Sequence, residues 1–166
     1  GFLSAFKPQE IANTAWAFAT LGLKNEELMT ALAMRTMHKN FLSTLNPQAL
    51  ATLVGAYARL GVKNEALMTA LAKRIVQELL LSTFTCSDIA KIARAYATLR
   101  IKDEQLMAAV ARFAVQERVV STCKPQDIAS LAWGYATLGI LDSALMAALA
   151  QQTMQNDLRV TFTSQQ

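Results

Sequence analysis

The stretch PQEIANTAWAFATLG, residues 8–22, decides the fold because it comes back. It returns as PQALATLVGAYARLG at residues 47–61, CSDIAKIARAYATLR at 86–100 and PQDIASLAWGYATLG at 125–139. A second recurring block follows each copy, carrying Leu28-Met29, Leu67-Met68, Leu106-Met107 and Leu145-Met146. Self-similarity at a fixed period is the signature of a repeat architecture. Cuts at Phe6, Leu45, Phe84 and Cys123 give four gapless units of 39 residues: 6–44, 45–83, 84–122 and 123–161. Residues 1–5 match the end of a preceding unit, and 162–166 match the start of a following one. Both ends are therefore expected to fall inside the pattern, with further repeats on either side and any targeting peptide outside this segment.

Each unit reads as two helices. The first opens at Pro8, Pro47 and Pro125, since proline suits a first turn whose N–H has no partner anyway. In the third unit Thr85 to Asp88 supplies a capping box instead. Glu10, Asp88 and Asp127 sit in that turn, favourably placed against the helix dipole. Gly22, Gly61 and Gly139 end the helix with a left-handed cap. Arg100 takes that place in the third unit, so its turn is expected to be strained or differently shaped. Asn25, Asn64, Asp103 and Asp142 cap a second helix running to about Lys39, Glu78, Glu117 and Asn156. Ile11, Ala12, Ala15, Phe18, Ala19 and Leu21 are expected to face inward on the first helix. Leu28, Met29, Leu32, Ala33 and Met37 do so on the second. Ala12, Ala51, Ala90 and Ala129 let neighbouring helices approach closely. Helices this short are marginal alone, so stacking must stabilise them. The expected fold is all-α: one continuous α-solenoid of tandem 39-residue helix-turn-helix repeats.

Composition agrees. The chain is 53% hydrophobic with three prolines and six glycines, which suits a buried helical protein. Charge interrupts every apolar run, so no membrane insertion is expected. Cys86 and Cys123 have neither metal-site spacing nor disulfide-scaffold density. They are expected as free thiols in a reducing compartment. The single histidine, His38, is matched in the other units by Gln77, Gln116 and Gln155, which argues for an exposed polar position. No phosphate loop, nucleophile elbow or metal-ligand cluster appears. No enzyme activity, cofactor, metal or small-molecule substrate is expected. A net charge of +4 permits an anionic partner without demanding one.

Four positions per unit, three or four residues apart, share a face of the first helix opposite the apolar set. They are Gln9, Asn13, Trp16 and Thr20; Gln48, Thr52, Gly55 and Arg59; Ser87, Lys91, Arg94 and Thr98; and Gln126, Ser130, Trp133 and Thr137. None is acidic. The third position alternates Trp16, Gly55, Arg94 and Trp133, either a planar group or a gap. Amides, hydroxyls and cations with planar stackers are what single-stranded nucleic acid rewards. On that reading Arg59, Lys91 and Arg94 neutralise phosphates or stack, and Trp16 and Trp133 offer stacking planes. Gln9, Asn13, Thr20, Gln48, Thr52, Gln126 and Ser130 complete the RNA-binding set with hydrogen bonds. Helical solenoids also bind proteins along such faces, and the residues alone weigh the two ligands about equally.

The 39-residue period and the repeated PQ…IA…AWAFATLG phrase, followed by a capped helix with Leu-Met, resemble the octotricopeptide repeat over the whole chain. Heptatricopeptide arrays and the helical parts of FAST-kinase-like, RAP-associated proteins are similar. The resemblance implies an organellar factor, in chloroplast or mitochondrion, that binds single-stranded RNA and acts on its stability, processing or translation. The alternative it leaves open is a protein–protein scaffold, a structural subunit of a large organellar complex.

Overall fold

The computed structural model describes residues 1–81 and 83–163, and among these it is all-helical. A 3-10 turn, Phe2–Ala5, precedes α1 (Pro8–Leu21), α2 (Glu26–Met37), the single turn α3 (Lys39–Leu42), α4 (Pro47–Arg59) and α5 (Glu65–Leu81). There follow α6 (Cys86–Thr98), α7 (Glu104–Ala114), the single turn α8 (Glu117–Val120), α9 (Pro125–Thr137) and α10 (Ser143–Thr163). No helix among the described residues is long and apolar enough to cross a membrane. Residues 164–166, expected to open a further unit, lie outside the described residues.

The starts and turns follow the local chemistry. Asn25, Asn64, Asp103 and Asp142 each accept an N–H from the residue three ahead, at 2.9–3.0 Å. The backbone N–H groups of Lys7, Thr85 and Lys124 donate to the carboxylates of Glu10, Asp88 and Asp127 at 2.8–3.0 Å. Gly22, Gly61 and Gly139 are left-handed, and Arg100 adopts the same conformation at φ 53°. The third turn is thus strained but not reshaped: Ile101 N–H still reaches the Tyr96 carbonyl at 2.9 Å, as Val62 reaches Tyr57. One boundary differs from expectation. In the first and third units the second helix breaks at His38 and Gln116, whose ψ values of 125° and 131° are extended. The turns beyond drive Phe41, Val119 and Val120 into the core.

The first helices α1, α4, α6 and α9 pack side by side in chain order, and α2, α5, α7 and α10 form a second layer behind them. This is the packing order of an α-solenoid. Alanines line the close seam: Ala12, Ala51 and Ala90 are buried, and so are Ala19, Ala58 and Ala97. The first helices touch one another far more extensively than the second helices do. Unequal spacing bends a stack, so the first-helix layer lies on its inner side. Two inward assignments fail at the ends of the row. Leu21 is 70% exposed and Ala129 is exposed; among the described residues α1 and α9 each pack on one first helix, where α4 and α6 pack on two.

Repeated long-range ties fix the stack. The buried phenols of Tyr57 and Tyr96 donate to the carbonyls of Met29 (2.6 Å) and Met68 (2.5 Å), and Tyr135 donates to the Met107 carbonyl. Each joins a first helix to the second helix of the previous unit. Arg35 and Arg74 likewise donate to the Ser4 and Ser43 carbonyls at 3.0 and 2.9 Å. The cysteines correct the sequence reading: Cys86 and Cys123 form a disulfide, with Cα atoms 5.2 Å apart. A linear separation of 37 residues hid the pair. Cys86 is the third residue of its unit and Cys123 the first of the next, and stacking sets those positions side by side. The expectation of a reducing compartment, which rested on free thiols, loses its support.

Candidate nucleic-acid interface

Periodicity on the first helices carries the candidate face to one side of the inner layer. On α1, Gln9, Asn13, Trp16 and Thr20 are all exposed, and the Gln9 amide donates to the Asn13 carbonyl oxygen at 2.9 Å. Gln48 and Arg59 are exposed on α4, with Thr52 and Gly55 half-buried between them. On α6, Lys91, Arg94 and Thr98 are exposed, while the Ser87 hydroxyl is occupied by the Asp127 carboxylate at 3.1 and 3.2 Å. On α9, Gln126 and Trp133 are exposed and Thr137 is half-buried.

Ser130 is a correction. It is only 6% exposed, so its hydroxyl is withdrawn from the face and leaves the binding set. The reason lies one turn along α9. A Cβ at Gly134 would come within 3.0 Å of the Ala93 carbonyl oxygen, so glycine there draws α9 and α6 unusually close and buries what lies between.

The tryptophans stay open. Trp16 is 56% and Trp133 44% exposed, although both are large and apolar. The Arg94 guanidinium lies 5.4 Å from the centroid of the Trp133 ring, so third-position residues of adjacent units meet across the seam. Between α4 and α6 the face opens into two cavities that share Lys91. One, of about 470 Å³, is lined by Gly55, Ala58, Arg59, Lys91, Arg94, Ala95 and Thr98. The other, of about 460 Å³, includes Gln48, Thr52, Thr85 and Asp88. Asp88 is an acid that the face pattern did not include, but its carboxylate already accepts the Thr85 N–H.

The ion pairs seen among the described residues join Lys24 to Glu26, Lys63 to Glu65 and Arg74 to Glu78. None involves Arg59, Lys91 or Arg94. Among the described residues these three cations are thus in no ion pair, and the only acid beside them is Asp88, in the second cavity. Sequence reasoning missed the alanine floor from Ala58 and Ala95, because alanine carries no chemical signal. It also gave no function to Arg35 and Arg74, whose hydrogen bonds 31 residues back make them ties of the stack.

A family profile described as RNA-editing substrate-binding complex 6 protein (RESC6) matches the chain over residues 2–81 and again over 43–164. The chain belongs to that family. Two overlapping matches of one RESC6 profile are what a chain repeating itself gives. Comparison with curated proteins finds no match. The chain is thus an all-helical RESC6-family protein, of a family named for an RNA-editing substrate-binding complex.

Proposed function

We propose that this RESC6-family chain binds single-stranded RNA along the inner face made by α1, α4, α6 and α9, as a subunit of an RNA-editing substrate-binding complex. One observation carries the reading. Arg59, Lys91 and Arg94 converge, free of ion pairs, on an open trough within a row that also holds the exposed rings of Trp16 and Trp133. Uncompensated cations bind phosphates, and exposed aromatic or guanidinium planes stack on unpaired bases. Gln9, Asn13, Thr20, Gln48, Thr52 and Gln126 complete the set as hydrogen-bonding groups. The units are of octotricopeptide type, and the setting is an organelle, the mitochondrion in preference to the chloroplast. The chain acts by binding and carries no catalysis of its own.

Protein contact is the second reading. The family name supports it, and so do Met34 and Met154 on α2 and α10, which are 68% and 67% exposed and lie off the RNA face. RNA on the inner face and protein on the outer layer are compatible.

A salt titration tests the RNA reading. Each phosphate contact with a single strand contributes about −0.7 to the slope of log K against log salt, so the two made by Arg59 and Lys91 give about −1.4. Replacing Arg59, Lys91 and Arg94 together by glutamine should flatten the slope by that amount. Affinity indifferent to salt, or retained in full by the triple variant, contradicts the proposal.

A further inference from the structure

The third positions of the face run Trp16, Gly55, Arg94, Trp133, and Gly55 alone lacks a side chain. Nothing in the fold requires this. Gly55 lies in the middle of α4 and is not left-handed, and a Cβ there would meet nothing within 4 Å. Gly134 is the contrast, because a Cβ there would press on the Ala93 backbone at 3.0 Å. Glycine inside a helix weakens it relative to alanine, so α4 carries a defect that no packing offsets. Over this bare backbone stands the cavity of about 470 Å³, floored by Gly55, Ala58 and Ala95. Arg59, Lys91 and Arg94 stand at its rim, and no carboxylate lines it.

We infer that the seam between α4 and α6 is a nucleotide slot, in which one everted base of an RNA strand lies over Gly55 while Arg59 and Lys91 hold the adjoining phosphates. This rests on the RNA-binding reading and adds the point at which the strand is gripped. The methyl groups of the floor and the bare helix backbone offer a flat, uncharged surface to the face of a base. Arg94, seated against the Trp133 ring, supplies a guanidinium plane at the edge. A side chain at position 55 would occupy the space the base needs. The missing Cβ and the convergent cations thus have one explanation.

The test uses a mixed-sequence single-stranded RNA of about ten nucleotides, within the range of single-strand site sizes, with one abasic position moved along it. Binding is read by anisotropy for the unaltered chain, Gly55→Leu and Gly55→Ala, with a thermal melt as the folding check. Leucine is a strong helix former, so Gly55→Leu is expected to melt no lower than the parent. It should bind about tenfold more weakly, a loss of about 1.4 kcal/mol, with an unchanged salt slope. Gly55→Ala, which restores only the missing Cβ, should bind about threefold more weakly than the parent, between the parent and Gly55→Leu. One abasic position should weaken the parent about tenfold and leave Gly55→Leu unaffected. Equal binding by Gly55→Leu and the parent, or an equal loss in Gly55→Ala and Gly55→Leu, overturns the slot and leaves the RNA reading standing. So does the lack of any abasic position that separates parent from variant. No RNA binding by the parent overturns both.

Discussion

Arg100 holds a left-handed backbone where three other units place glycine. A side chain in that region costs about 1 kcal/mol, so Arg100→Gly should raise unfolding stability by about that amount in a urea titration. An unchanged or lowered midpoint would show that the arginine side chain offsets its own strain. The same position shows what single residues reveal from sequence. The turn was legible because a Gly at one place in three units fixes its geometry, and the fourth must follow. Accessibility was less legible. Ser130 belongs to the polar face by its spacing, yet it is buried by Gly134, four residues away, whose missing Cβ acts through the neighbouring helix. A one-dimensional pattern shows which way a side chain points, and not how close the next unit comes.

At the scale of elements, caps and helix starts could be read because their chemistry lies within four residues. The break after α2 and α7 could not, since it depends on where Phe41 and Val119 find core space. The ties between layers are likewise invisible without stacking. Burial pushes the phenols of Tyr57, Tyr96 and Tyr135 well above their ordinary range, with Asp103 and Asp142 adding to the shift at the latter two. A pKa raised in the folded state means stability is whole below the unfolded value of about 10 and falls as pH climbs past it. The urea midpoint should therefore drop between about pH 9 and about pH 11, and Tyr96→Phe should lessen that drop. Equal pH dependence in parent and variant would remove the tyrosine from the explanation. The Cys86–Cys123 bond ties α6 to the entry of α9, so Cys86→Ser should cost about 4 kcal/mol, as closure of a loop of this length implies. Melts with and without reductant check it: the parent should fall to the variant's stability when reduced, and insensitivity to reductant contradicts the bond.

For the molecule as a whole, the period of 39 residues made the architecture readable, because units that cannot bury their apolar faces alone must stack. The candidate face was readable as a composition on one side of four helices. Its trough was not, since the alanine floor and the meeting of Arg94 with Trp133 arise only when units stand side by side. The occupant proposed for that face is a single RNA strand lying across it. The chain has two tryptophans, and both are exposed on it, so their emission reports directly on an occupant there. Titrating single-stranded RNA while following tryptophan fluorescence and anisotropy of the labelled strand is the most direct measurement. Emission should be quenched as the bases stack, saturating at the concentration at which anisotropy saturates. Strand binding with unperturbed tryptophan emission, or no binding at all, would contradict that placement of the strand.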